Sequence, residues 1–180
     1  MRYFLLIIAA LVLVGCGTTK IDSNAPANIA DPIVEKAIRK RINKPTGELT
    51  KADLEKVRAI GFNFTQITDE GLKEVAKLQQ LTYLVLFRTQ ITDAGLKDVA
   101  KLQKLELLDL SDTQITDAGL KEVAKLQKLE RLNLDETKIT DAGLKDVAKL
   151  KQLTALRLKG TQITDAGLKE VAKLQNLTWL

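Results

Sequence analysis

Few residues in this 180-residue chain could do chemistry. Asp109 and Asp135 read as a carboxylate pair two strands apart, about 10 Å by inter-strand spacing, a separation compatible with general acid and base work. Neighbouring Arg131 and an open surface make solvated charges the better reading. There is no nucleophile–base constellation and no phosphate loop. Histidine is absent altogether, which removes the commonest metal ligand and general base. The repeated Thr-Asp-Ala-Gly has the composition of a ligand loop, yet as a helix start in every unit it needs no ligand. The chain reads as a non-enzyme without cofactor or metal.

The other reactive group is the thiol of Cys16, the single cysteine, which excludes an intrachain disulfide. Met1-Arg2 precede an apolar run from Tyr3 to Val14 that ends in Leu13-Val14-Gly15-Cys16. As a helix this run reaches only about 20 Å, short of the roughly 30 Å hydrocarbon core, so a permanent transmembrane helix is the weaker reading. The stretch resembles a bacterial lipoprotein signal. That resemblance implies diacylglycerol on the Cys16 thiol and cleavage that makes Cys16 the N-terminus. Residues 1–15 are then the signal peptide. Residues 16–30, small and polar with no helical period, read as a flexible tether. A lipid-anchored protein of the bacterial cell envelope follows, and Gly17, in place of the aspartate associated with inner-membrane retention, favours the outer membrane where two membranes exist.

What positions any site is a repeat. Thr65, Thr89, Thr113, Thr137 and Thr161 each open a Thr-(Gln/Lys)-Ile-Thr-Asp segment, a strict period of 24, and self-similarity at this spacing means a solenoid. Within one unit, Leu84 and Leu86 alternate with Tyr83, Val85 and Phe87, the period of a short strand with leucines inward. Thr92 is a helix N-cap, Asp93 suits the dipole of the first turn, and Leu96, Val99 and Ala100 follow at helical spacing. Copies of Thr89 fall where the chain leaves the sheet and can bond turn backbone groups. Gly95 and its copies cost about 1 kcal/mol in a helix against alanine, which close approach of adjacent units explains.

The pattern Leu-x-x-Leu-x-Leu-x-x-Thr-x-Ile-Thr-Asp-x-Gly-Leu resembles the leucine-rich repeat, with threonine where asparagine or cysteine usually stands. The resemblance implies an α/β solenoid with a parallel concave sheet and convex helices over residues 57–180, the last repeat incomplete. Before it, Asp31-Pro32 and Ile33, Val34, Ala37, Ile38 and Ile42 predict a helix, and a second runs from Lys51 to Lys56. With the Asn-Lys-Pro-Thr-Gly-Glu-Leu-Thr stretch between them, residues 31–56 are similar to the N-terminal helical cap of internalin-like proteins. The 24-residue repeats with true convex helices depart from internalins.

At the other end Ile163, Leu168, Val171, Leu174, Leu177 and Leu180 are expected to leave an apolar end face, so that either the array continues in a longer chain or the face docks on another copy. The formal charge of +5 includes Arg39, Lys40, Arg41 and Lys44, which read as a solvated helix face before a lipid contact. Basic and aromatic residues do not interleave as on a nucleic-acid surface.

Helical positions barely differ between copies, whereas outward strand positions differ completely. Phe64, Tyr83, Val85, Phe87 and Leu107 gather apolar groups on the first units. Asp109, Asp112, Asp135 and Glu136 follow with negative charge, then Arg131, Arg157 and Lys159, and lastly Trp179. The expected ligand surface is therefore Phe64, Tyr83, Val85, Phe87, Leu107, Asp109, Arg131, Asp135, Arg157 and Trp179, for a protein or peptide partner, or a glycan. The alternative is a structural or self-associating envelope protein without a dedicated ligand.

Overall fold

The computed structural model describes residues 22–180. The expected signal peptide and Cys16 lie outside the described residues. Two helices, α1 (Pro32–Ile42) and α2 (Lys51–Glu55), precede five units in which strands alternate with helices: β1 (Ala59–Gly61), α3 (Asp69–Val75), β2 (Tyr83–Val85), α4 (Leu96–Val99), β3 (Leu107–Asp109), α5 (Asp117–Val123), β4 (Arg131–Asn133), α6 (Asp141–Val147), β5 (Ala155–Arg157) and α7 (Asp165–Val171). The strands form one parallel sheet in sequence order. A constant register puts Ile60, Leu84, Leu108, Leu132 and Leu156 in one inward row, and every member of it is buried. The sequence period thus becomes a spatial stack, each unit closing its apolar face against the next.

Within a unit the core receives Leu84 and Leu86 from the strand, Ile91 from the turn and Leu96 and Val99 from the helix, with Leu102 and Leu105 on the return to the next strand. The strand-exit threonines do what their position predicts. Thr65, Thr89, Thr113, Thr137 and Thr161 each donate a hydroxyl to the carbonyl three residues back, satisfying a backbone acceptor that has left the sheet. Helix starts match the sequence in four units, at Asp69, Asp117, Asp141 and Asp165. In the remaining unit, the first with Thr-Asp-Ala-Gly, residues 93–95 form a turn and α4 begins only at Leu96. The same nine letters at 140–148 start a full helix, so local sequence is not the cause.

Adjacent units are joined by a second ladder. Asp93 Oδ1 accepts the Thr116 N–H at 2.8 Å and its Oδ2 accepts the Thr116 hydroxyl at 2.6 Å. Asp69 with Thr92, Asp117 with Thr140 and Asp141 with Thr164 repeat this pair of bonds, and the Thr164 bonds hold the Asp141 carboxyl below its ordinary value. The aspartate lies directly over the glycine of the next unit, where a Cβ at Gly95 or Gly119 would run into Asp69 or Asp93 Oδ1. Close approach is therefore the reason for the glycine, and the approaching group is the carboxylate. Sequence reading placed that aspartate only at a helix dipole.

The cap has the expected two helices. Asp31 caps α1 by accepting from Ile33 and Val34 N–H, and α1 ends at Asn43 in the left-handed region. Thr50 and Asp53 form a capping box on α2. Asp53 is 4 % exposed and takes Lys44 Nζ at 2.7 Å and Lys56 Nζ at 2.9 Å. Of the expected tether, residues 23–30 are held against the cap. Ala27 N–H donates to Leu49 C=O, Lys51 N–H to Ala25 C=O and Ala52 N–H to Ser23 C=O. Lys77 Nζ reaches Asn28 C=O, and Ala30 N–H donates to Glu74 Oε2. Residues 23–30 are a strap across the cap, because Ala27 and Ile29 find apolar surface to cover.

The end face is also less open than expected. Leu168 and Leu180 are exposed and Ile163 and Leu177 half-buried, but Val171, at the end of α7, and Leu174, just beyond it, are buried in the core.

Candidate concave binding surface

Parallel pairing sorts the outward strand positions into rows. One row reads Ala59, Tyr83, Leu107, Arg131 and Ala155, continued by a bridge from Ala155 to Trp179. The next reads Gly61, Val85, Asp109, Asn133 and Arg157. Large side chains from different units meet across them. The Arg131 guanidinium passes Leu107 to lie 5.6 Å from the centre of the Tyr83 ring, donating to the Tyr83 hydroxyl at 3.2 Å. Arg157 lies 5.5 Å from the Trp179 ring centre. Between them a depression of about 340 Å³ is lined by Leu107, Asp109, Arg131, Asn133, Arg157 and Trp179. Trp179 is 52 % exposed, so this aromatic face is available to a partner.

A second group stands on the rim where the chain leaves each strand. Phe64 and Phe87 meet edge to face at 4.9 Å, and Arg88 lies 5.9 Å from the Phe64 ring centre while pairing with Asp112 at 2.9 Å. Phe64, Arg88, Asp112 and Glu136 all have positive φ, and Gly160 completes the column. Arg88 was not among the expected site residues. The signal that could have found it is positional variation, since 64, 88, 112, 136 and 160 differ as freely as the strand positions do.

The two carboxylates differ in setting from the expected pair. They belong to neighbouring units, not strands two apart, and both are engaged. Asp109 Oδ1 accepts the Ser111 N–H and hydroxyl at 2.9 and 2.5 Å. Asp135, 7 % exposed, takes Arg157 at 2.6 Å on Oδ2 and the Lys159 N–H at 2.8 Å on Oδ1. Asp135 is thus committed to Arg157 and to the backbone of Lys159. The expected division into apolar, negative and positive zones is correspondingly blurred, because arginines cross to neighbouring acids and rings. Among the described residues no three His, Cys, Asp or Glu side chains gather to hold a metal ion. No helix among them is long and apolar enough to cross a membrane.

A parallel sheet of stacked similar units, with variable side chains on the strand face turned away from the core, defines a leucine-rich-repeat module. The chain belongs to the leucine-rich-repeat family: the description "leucine-rich repeat region" matches residues 52–180. Among solved structures it is similar to an internalin of Listeria monocytogenes, with 25% identity and a TM-score of 0.71, over 90% of this chain and 46% of that one. It is also similar to a leucine-rich-repeat protein of Leptospira interrogans, with 26% identity and a TM-score of 0.50, over 71% of this chain and 38% of that one. The chain thus spans less than half the length of either neighbour. No curated protein matches it. Family and neighbours agree on the fold, that of bacterial leucine-rich-repeat proteins.

Proposed function

We propose that the concave face binds a protein or peptide partner, with Tyr83, Leu107, Arg131, Arg157 and Trp179 as the anchoring surface and Phe64, Val85 and Phe87 as a second contact. The observation that carries this reading is the pair of arginine–aromatic stacks flanking the depression at Leu107. Each guanidinium is held on a ring before any ligand arrives, so less side-chain entropy is lost on binding. Arginine and aromatic side chains are also the residues that dominate measured interfaces.

Replacing Tyr83, Phe87 and Arg131 by alanine in the full chain should abolish partner capture from a membrane extract. At about 2 kcal/mol or more per hot spot, the loss exceeds a hundredfold. Capture at the wild-type level, from a variant with unchanged circular dichroism, would sink the concave-face reading. Self-association through Leu168 and Leu180 is the competing use of exposed apolar surface, and a monomer in sedimentation of the same preparation counts against it.

The anchoring rests on the sequence around Cys16. Diacylglycerol on its thiol would hold the module at the envelope membrane, the outer one where two exist. The Cys16→Ser chain should leave the membrane fraction and lose metabolic labelling by a fatty acid; labelling that persists would exclude Cys16 as the acceptor.

A further inference from the structure

The cap covers the core of the first unit but leaves the backbone edge of its strand open. Among the described residues β1 pairs with β2 alone. Arg58 C=O accepts the Thr82 and Tyr83 N–H groups at 2.8 and 3.1 Å, Phe62 N–H donates to Val85 C=O at 2.8 Å, and Phe64 N–H donates to Phe87 C=O at 3.2 Å. Alternate residues therefore serve β2. The intervening Ala59 and Gly61 turn their N–H and C=O groups the opposite way, and among the described residues none of these four groups has a partner.

That edge forms one side of a trough of about 430 Å³ whose other side is α1, with Ala37, Lys40 and Arg41 facing Ala59, Gly61 and Asn63. The small side chains at 37, 59 and 61 keep the trough open. Lys40 and Arg41 are exposed. Unlike Arg39 and Lys44, which bind Glu35 and Asp53, neither has an ion-pair partner among the described residues. No acidic side chain lines the trough.

We propose that the outer edge of β1 is a strand-addition site for an extended acidic peptide segment. The segment takes the place of a preceding strand. Its backbone bonds Ala59 and Gly61, and its side chains alternate, which sends every second one toward the α1 wall. Glutamate or aspartate at those positions meets Lys40 and Arg41, so charge sets which segments bind. Tyr83 and Val85 line both this trough and the concave surface, but Arg131 and Trp179 do not touch the trough, so a variant of those two tells the sites apart.

The test uses the isotope-labelled full chain in detergent micelles, with the acetylated, amidated peptide Thr-Glu-Val-Glu-Val-Thr and its Lys-for-Glu counterpart as probes. The acidic peptide should slow amide hydrogen exchange at Ala59 and Gly61 at least about tenfold, while the basic one should not. Lys40→Glu/Arg41→Glu should reverse that preference. Gly61→Pro removes one outward N–H without touching the bonds to β2 and should weaken acidic-peptide binding roughly tenfold, whereas Arg131→Ala/Trp179→Ala should bind it as the parent chain does. Absence of protection at Ala59 and Gly61 overturns the proposal. So does protection indifferent to peptide charge, in which case Lys40 and Arg41 only guard an exposed edge against aggregation.

Discussion

Gly119→Ala should destabilise the protein by about 3 kcal/mol, even though alanine is the better helix former by about 1 kcal/mol. The added Cβ runs into Asp93 Oδ1 and lies 2.8 Å from Leu96 Cδ1. Leu96 can rotate away, but Asp93 has to abandon both bonds to Thr116. Bonds to a charged acceptor contribute about 1.5–3 kcal/mol each, so this loss outweighs the propensity gain. Asp93→Ala alone should cost a similar amount, and the double variant no more than Asp93→Ala, since the clash and the broken bonds are one event. Denaturant titration of the four proteins measures this, and additive costs would mean that the glycine serves something other than the carboxylate. Because solenoid stability is transmitted only between neighbours, Gly119→Ala should also broaden the transition as the two sides of the damaged junction unfold apart.

The second large effect is expected at the cap. Lys44 and then Lys56 hold the Asp53 carboxyl well below the usual carboxylate range, against its burial and with help from Thr50. Asp53→Asn should cost about 2–3 kcal/mol at neutral pH, the scale of charge-assisted hydrogen bonds. It stays below the 3–5 kcal/mol of a fully buried broken pair, because Lys44 and Lys56 are 34% and 63% exposed and can turn to water. A carboxyl whose folded value is depressed contributes fully above its unfolded value near 4, and the contribution fades as pH falls toward the folded value. The gap between parent and variant should therefore be constant from pH 7 to about 5 and close by about 1 kcal/mol at pH 3. A gap unchanged at pH 3, measured by urea unfolding, would show that Asp53 acts through its shape and not its charge.

Much of the fold was legible because each unit repeats its own instructions. The 24-residue period, the inward leucines, the threonine at each strand exit and the two cap helices all occur where local pattern places them, since in a stacked solenoid each residue has the same neighbours as its copy. The Asp-Thr ladder was partly hidden for the same reason. Asp93 and Thr92 are adjacent in sequence and look like one helix start, while the bonds that matter run from Asp93 to Thr116 in the next unit. The site was legible as a list of outward positions, but not as contacts. Arg88 lies one residue beyond the strand alternation. Asp135 looks like a surface charge until its buried bonds to Arg157 and Lys159 are seen.

By itself, then, the sequence determined the architecture: period, inward row, cap and the face left free to vary. Those follow from local propensity and apolar spacing, which each unit carries within itself. Only the tertiary structure decided how that face is organised, because pairings such as Arg131 with Tyr83 and Arg157 with Trp179 depend on strand register and side-chain reach. It also decided that residues 23–30 strap across the cap while, among the described residues, the edge of β1 stays unpaired, which is a matter of which surfaces that segment finds and not of any local pattern.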